Sequence, residues 1–215
     1  MKTKITKMGS ALLVAFFAVF LTVSVNGETP YYQYGESAKK YESMVSDNVL
    51  KNKNISISDK EISIELSSKI EQGESRNTVI KETVKDLIEK KVLYADAIAA
   101  GMQVSDYQYN AYIKELKESI AKAENKEQIE EFYSGYGGEA AYWKEIEPTI
   151  RQNLAIHTYI YSKIDDSLSQ DEQEDKIEEI KKNAYEKGCK LIDLEKLTKM
   201  VSEVYEEQVT KCLTQ

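Results

Sequence analysis

The chain has 215 residues, of which 29 are basic and 37 acidic, so its formal net charge is −8. This acidic balance argues against a nucleic acid as a partner, because binding to phosphates needs a basic surface. The chain has only two cysteines, which excludes a framework of several disulfides.

The N-terminal segment has the pattern of a secretory signal peptide. Lys2, Lys4 and Lys7 give it a positively charged start, and 13 of the 15 residues from 11 to 25 are apolar. We predict cleavage after residue 27. The alternative is an uncleaved anchor, and membrane contact is expected only through this segment. Either way, the rest of the chain is expected outside the cytoplasm, secreted or anchored at the outer face of the cytoplasmic membrane.

Removal of residues 1–27 takes away three lysines and no acid, which leaves 26 basic and 37 acidic residues and a net charge of −11. Residues 28–54 have weak periodicity and are predicted to be a loosely structured lead-in. Ser58 or Asp59 can cap a short helix that runs to about Ile70. The alternating sequence ISIS at residues 55–58 could instead form a strand fragment.

The main amphipathic helix is predicted from Ser75 to a stop at Gly101. Its apolar residues recur at spacings of three and four: Val79, Ile80, Val84, Leu87, Ile88, Leu93, Ala95 and Ile98. A second helix follows, in which Ser105 and Gln108 form a capping box. Val104 can pack on Tyr109 as a hydrophobic staple, and this helix should reach about Ala123.

Two shorter signals follow in the middle of the chain. Asn125 and Gln128 repeat the capping pattern for a helix that ends near Ser134, and the glycine-rich residues 135–138 form a joint. The next helix contains Pro148, which should kink or interrupt it, because a proline inside a helix costs about 3 kcal/mol and removes one backbone hydrogen bond.

The C-terminal segment, residues 165–215, is predicted to be an acidic helical hairpin that follows a helical domain at residues 55–164. Ser169 and Glu172 cap its first helix, which Gly188 should end after Lys187. Apolar residues mark the last helix: Leu191, Leu194, Leu197, Val201, Val204 and Val209. The predicted fold class is all-α, an irregular multi-helix domain with a C-terminal helical hairpin.

The residues that usually carry catalysis or metals are scarce. If residues 190–212 form one helix, Cys189 and Cys212 lie about 34 Å apart, too far for a disulfide, so both are predicted to be free. His157 is the only histidine and is predicted to be a half-buried helix residue, because no nucleophile lies near it in the sequence. We predict no catalytic site, no metal site and no cofactor.

Aromatic composition is the strongest positive signal. All 15 tyrosines lie beyond the N-terminal segment, whereas three of the four phenylalanines lie inside it. Tyrosine combines a large apolar face with a hydroxyl that tolerates water, which suits contact with varied polypeptides. The predicted peptide-binding residues are Tyr107, Tyr109, Tyr112, Tyr133, Tyr136, Tyr142 and Trp143. The alternative is that these rings only pack the helices together.

Two long phrases resemble a known family. IKETVKDLIEKKVLYADAIAAGMQVSDYQYNAYIKELK and NKEQIEEFYSGYGGEAAYWKEIEPTIRQNLAI, within residues 76–160, are similar to the helical N-terminal domain of SurA-type chaperones and PrsA-type foldases. The resemblance implies an extracytoplasmic protein that holds unfolded secreted polypeptides. That family often has an early Val-Asn-Gly strand turn, but here this triplet, residues 25–27, falls at the predicted cleavage point.

A second departure from the family concerns catalysis. Family members often carry a parvulin-type isomerase module with paired histidines, whereas only 51 residues without histidine follow Ile164. We therefore expect a non-catalytic, chaperone-like protein with unfolded or secreted polypeptides as partners. One alternative is an envelope assembly protein that pairs through its C-terminal helices with itself, as a homodimer, or with another component. The other is a divergent peptidyl-prolyl isomerase.

Overall fold

A computed structural model of the protein describes residues 31, 32, 35, 36, 38, 39, 49–52, 55–70 and 75–213. The predicted signal segment and its cleavage point lie outside the described residues. The fold is all-α, as predicted, with one small β-hairpin. In chain order, the elements are β1 (Val49–Asn52), β2 (Ile55–Ser58), α1 (Asp59–Ile70), α2 (Arg76–Ala99), α3 (Asp106–Ile120), α4 (Lys126–Tyr136), α5 (Glu139–Tyr161), α6 (Gln170–Cys189) and α7 (Leu194–Leu213).

The hairpin shows that the strand interpretation of residues 55–58 is correct. β1 and β2 pair antiparallel, with Val49 opposite Ser58 and Asn52 opposite Ile55. Along β2, Ile55 and Ile57 are buried while Ser56 is exposed, which is the alternation of a half-buried strand. The prediction of a loose lead-in over residues 28–54 is wrong for β1. VLKN does not alternate clearly, so only its pairing with β2 identifies it as a strand.

Most helix starts follow the predicted capping residues. The backbone N–H of Ser58 donates to the Glu61 carboxylate at 3.0 Å, and α1 starts directly after Ser58. Ser105 forms the predicted capping box of α3, and Ser169 forms that of α6. Each box satisfies backbone N–H groups that a helix start would otherwise leave without a partner. Short polar motifs thus fix where the helices begin.

Two predictions in the middle of the chain are corrected. Asn125 precedes α4 but makes no side-chain capping hydrogen bond, because its backbone (φ −97°, ψ 25°) is not in the extended conformation of a capping residue. Pro148 does not interrupt α5, which continues from Glu139 to Tyr161. Pro148 is exposed. Buried residues of α5 lie on both sides of the proline, Trp143 before it and Ile150 after it, and their packing holds the helix there.

Contacts divide the chain into two compact units. Of the described residues, those between 31 and 39 together with 104–150 form unit 1, and 49–52, 55–70, 75–103 and 151–213 form unit 2. The predicted boundary at residue 164 does not follow this division. Helices α6 and α7 pack against α2, and α7 also packs against α1, so they belong to the core of unit 2 instead of forming a hairpin of their own.

Unit 2 is organised around α2. Its apolar stripe contacts β2, α1, α6 and α7. The largest fully buried side chains of the core are Ile57, Ile62, Leu66, Val79, Ile88, Val92, Leu197 and Val201. Full burial of side chains of this size contributes about 1.5–3 kcal/mol each. A polar bridge crosses the core: the buried Gln208 amide donates to the carbonyl oxygen of Ser63 at 3.0 Å.

Gly188 has a different role from the predicted one. It lies inside α6, which ends at Cys189, and it is buried against α2. A Cβ at this position would lie 2.2 Å from Cγ2 of Ile88 and 3.0 Å from Cγ2 of Val92. The glycine therefore serves close helix packing and does not end the helix. It brings α6 nearer to α2 than any larger residue would allow.

Cys189 is a free thiol and half-buried at the end of α6. The predicted separation of the two cysteines depended on a single helix from residue 190, but this helix, α7, starts only at Leu194. The side chain of Cys212 lies outside the described part of the chain.

The contact at Gly188 predicts the effect of one added methyl group. Gly188→Ala should lower the free energy of unfolding by about 1–3 kcal/mol, because Ile88 is fully buried and has no room to move away. Urea unfolding followed by circular dichroism measures this change. Asn183→Ala, at an exposed position of the same helix, is the control and should be neutral or slightly stabilising. Equal stability of Gly188→Ala and wild type would contradict the close contact.

Candidate functional site

The predicted peptide-binding rings come together in unit 1, but as a core. Helix α3 contributes Tyr109 and Tyr112, α4 contributes Tyr133 and Tyr136, and α5 contributes Tyr142 and Trp143. All six of these side chains are between 3% and 8% exposed. Tyr107, at the start of α3, is 82% exposed. The sequence identified residues that share one region, but it did not show which side of their helices faces inwards.

Tyr142 is the centre of this aromatic core. Its ring lies 5.3 Å from that of Phe132 and 5.2 Å from that of Tyr136, both edge-to-face. The Trp143 ring lies 5.4 Å from it, also edge-to-face, and the Tyr133 ring lies 5.3 Å away at a tilt. Edge-to-face pairs contribute about 0.5–1.5 kcal/mol each beyond the burial of area. These rings therefore stabilise unit 1 through one another.

The polar groups at the edge of the aromatic core are mostly satisfied within it. The Trp143 indole N–H donates to Glu139 at 2.9 Å, and the Lys117 ammonium lies 2.8 Å from the same carboxylate oxygen. The hydrogen bond from Lys117 lowers the pKa of Glu139. The Tyr133 hydroxyl is buried without a hydrogen-bond partner, and burial raises the pKa of this phenol. The arrangement is that of a packed interior.

Residues near the N-terminus lie against α4 in the same unit. A Cβ on Gly135 would lie 1.9 Å from the carbonyl oxygen of Tyr32, and a Cβ on Gly35 would lie 2.1 Å from the carbonyl oxygen of Phe132. Two glycines therefore allow two backbones to meet. The accessible aromatic lining that we expected is not present: apart from Tyr107, the predicted binding residues are sealed within unit 1.

A different concave surface lies in unit 2, between α2 and α6. This α2–α6 cleft has a volume of about 490 Å³. Its lining residues are Lys85 and Glu89 on α2 and Glu178, Glu179, Lys182 and Tyr185 on α6. On each helix the lining residues are spaced by three or four, or are sequence neighbours, so they share one face. Charged groups of both signs surround the aromatic ring of Tyr185.

Glu89 is the unusual member of the cleft. Its side chain lines the cavity, yet the residue is only 8% exposed, and its Oε1 has no close hydrogen-bond partner. The nearest cation is the Lys85 ammonium, 3.6 Å from that oxygen, and the Lys85 side chain is 53% exposed. Burial raises the pKa of Glu89, and Lys85 opposes this effect through its charge and a long hydrogen bond. Buried carboxylates are normally hydrogen-bonded, so Glu89 is left under-satisfied.

The other acids of the cleft have partners of their own. Glu178 pairs with Lys181 at 2.8 Å, and this hydrogen bond lowers the pKa of Glu178. Glu179 pairs with Lys176 at 2.6 Å. A hydrogen bond with Cys189 raises the pKa of Tyr185, so the hydroxyl of that residue is also engaged. Among the acids that line the cleft, Glu89 is the one with a buried oxygen that has no close hydrogen-bond partner.

His157 is half-buried, as the sequence predicts. Its ring stacks on that of Tyr161 with the centroids 4.1 Å apart, and burial lowers the pKa of the imidazole. Its Nδ1 is buried without a hydrogen-bond partner. Within the described residues, no three His, Cys, Asp or Glu side chains lie close enough together to hold a metal ion.

The cleft was not predicted from the sequence, for a physical reason. Glu89 directly follows the apolar pair Leu87 and Ile88, so a charge at the edge of the buried stripe of α2 was a signal that could have been noticed. The partner face of α6 was not predictable, because its capping box shows where the helix begins but not which residues face α2.

Comparisons of the chain with protein-family models, with curated proteins and with solved structures find no match. In the part of the chain that the structure describes, no helix combines the length and apolar character that crossing a membrane requires.

Because the rings of the aromatic core are buried, we expect them to matter for folding and not for direct contact with a bound polypeptide. Tyr142→Ala should lower the stability of unit 1 by about 3–5 kcal/mol, as large aromatic-to-alanine changes in cores do. Trp143, the only tryptophan, contacts this ring and reports the change through its fluorescence during urea unfolding. Tyr107→Ala is the control and should change stability by less than about 0.5 kcal/mol. Similar losses from both variants would contradict the assigned burial.

The buried carboxylate predicts a pH-dependent stability. The pKa of Glu89 is raised on folding, so its charge disfavours the folded state at a pH above the folded pKa. This penalty disappears as the pH falls towards the ordinary value of 4.5. Glu89→Gln should therefore increase the free energy of unfolding at pH 8, and the gain should shrink towards pH 4. Urea unfolding across this range measures it.

Glu82→Gln is the matched control for this measurement. It removes the same charge from an exposed position of the same helix, so it should not reproduce the gain. A loss of stability in Glu89→Gln at pH 8 would show that the carboxylate is favourably paired in the folded state.

Proposed function

We propose that the protein is a chaperone-like binding protein that holds unfolded or extended secreted polypeptides outside the cytoplasm and makes no covalent change in them. The observation that carries this proposal is the α2–α6 cleft, an accessible concave surface on a well-packed helical unit. Its volume of about 490 Å³ lies within the range of about 300–1,000 Å³ typical of binding pockets. It accommodates a few side chains and not a folded partner.

The family resemblance supports the same function. The two similar phrases lie within α2 to α5, and two paired strands, Val49–Asn52 and Ile55–Ser58, precede α1. The SurA-type and PrsA-type proteins often have an early strand turn. The hairpin supplies a strand turn further along the chain than the Val-Asn-Gly triplet at residues 25–27. This supports the likeness to a protein that handles unfolded secreted chains.

The burial of the aromatic rings changes the mechanism that we propose. Because these rings form the interior of unit 1, client contact is assigned to the mixed-charge cleft of unit 2. Contact there is with one small cleft, and thus of low affinity per site. The net charge of −11 beyond residue 27 favours encounter with basic segments of an unfolded chain.

The two alternatives receive less support. Assembly through the C-terminal helices would need an unused apolar face, but the apolar residues Leu197, Val201 and Val204 of α7 are buried in the core of unit 2. A divergent isomerase remains the enzyme hypothesis, and a proline-limited refolding assay tests it directly. Catalysis in that assay would overturn the non-catalytic assignment.

The proposed function predicts that the protein, purified from secreting cells, slows the aggregation of a chemically denatured secreted protein at an equimolar ratio. Light scattering after dilution from denaturant measures this effect. Tyr185→Ser, which removes the aromatic wall of the cleft, should weaken the protection. Asn183→Ser, at an exposed position of the same helix that does not line the cleft, should retain it. Wild-type protein that leaves aggregation unchanged would remove the main support for this function.

A further inference from the structure

One carboxylate in the α2–α6 cleft lacks a close hydrogen-bond donor. Glu89 places a carboxylate oxygen with no close hydrogen bond in a site that is more than nine-tenths buried. A charged acceptor in this position gains most from a donor that also carries positive charge, because charge-assisted hydrogen bonds are about twice as strong as neutral ones. The group that completes the site is therefore a cationic hydrogen-bond donor.

The other lining residues narrow the choice of cation. A bare metal ion is disfavoured, because within the described residues no three acidic or other ligating side chains converge. The ring of Tyr185 forms part of the wall, and its hydroxyl is engaged with Cys189. A planar, weakly hydrated guanidinium can stack on such a ring while it donates to a carboxylate, whereas an ammonium is compact and strongly hydrated.

We propose that the α2–α6 cleft binds arginine side chains of client polypeptides, with the guanidinium donating to Glu89 and lying against the ring of Tyr185. This inference rests on the proposed function for the nature of the ligand, a polypeptide. It names the side chain that the cleft selects. The arginine stem would fill the apolar part of the cleft, and the flanking client backbone would stay at its rim.

Charged groups around Glu89 decide whether such a ligand is tolerated. Lys85 is the competing cation: it is ion-paired with Glu89, its ammonium lies 3.6 Å from Oε1, and its half-exposed side chain can turn to water. Lys181 is occupied by Glu178. Lys182 lines the cleft at an exposed position and Asp86 adds a negative charge on α2. The arriving guanidinium therefore has to replace Lys85 at the carboxylate, with Lys181 and Lys182 as further positive charges nearby.

The test uses N-acetyl-arginine-N-methylamide as a probe and its citrulline counterpart as the uncharged match. Binding to the protein purified from secreting cells is followed by NMR chemical-shift changes. We expect shifts of α2 and α6 residues around Glu89 with the arginine compound and at least about tenfold weaker binding of the citrulline compound, because the charge-assisted hydrogen bond is lost. Equal binding of the two compounds overturns the proposal.

Two variants distinguish binding at Glu89 from attraction of the probe by the overall negative charge of the protein. Glu89→Gln keeps the shape and should weaken binding of the arginine compound about tenfold or more, because it removes the charged acceptor. Glu82→Gln removes the same charge from the exposed surface of α2 and should leave binding unchanged. Equal weakening by both variants would mean long-range attraction only and would overturn the assigned site.

The protection assay and the arginine-binding assay together distinguish failure of the arginine site from failure of the chaperone function. Protection of a denatured client that does not depend on Glu89, together with no arginine-specific shifts, would leave the chaperone function standing and remove the arginine site. Arginine binding that depends on Glu89, without any protection of denatured clients, would retain the site chemistry and reject the chaperone function.

Discussion

The close contact between α2 and α6 at Gly188 is the constraint on which the candidate site depends. Ile88 and Val92 of α2 occupy the space that a side chain at residue 188 would need. Close to this contact, the same two helices carry Glu89 and Tyr185, which line the cleft. A tight contact thus holds the two walls at a fixed spacing, and the cleft needs no loop to define it.

Unit 2 is built from two distant parts of the chain, and this explains much of its organisation. Gln208 of α7 donates to Ser63 of α1, 145 positions earlier in the chain, and Lys187 of α6 pairs with Asp96 of α2 at 2.5 Å. Helix α2 cannot bury its apolar stripe until the C-terminal helices return to it. Such long-range contacts slow folding, since a large loop must close before they form. The cleft consequently exists only when both parts of the chain are folded together.

Local signals in the sequence predicted the helices well, and the reasons are physical. Ser58, Ser75, Ser105 and Ser169 each precede a helix because their hydroxyls replace missing backbone partners, and this depends on a few neighbouring residues only. What depends on tertiary packing was not predictable in the same way. The sequence of α3, α4 and α5 is compatible with aromatic rings either on the surface or in the interior. Predicting the cleft would have required knowing which face of α6 contacts α2. Gly188 illustrates the difference, since it looked like a helix end and serves as a packing contact.

Helix α5 runs without interruption through the point where the chain passes from unit 1 to unit 2, between Ile150 and Arg151. Two residues before that point, Pro148 supplies no N–H, so this turn holds one backbone hydrogen bond fewer than its neighbours. Thermal opening of a helix starts where its backbone is least bonded. Amide hydrogen exchange along α5 should therefore be fastest around the proline, and each half of the helix should keep the protection of its own core.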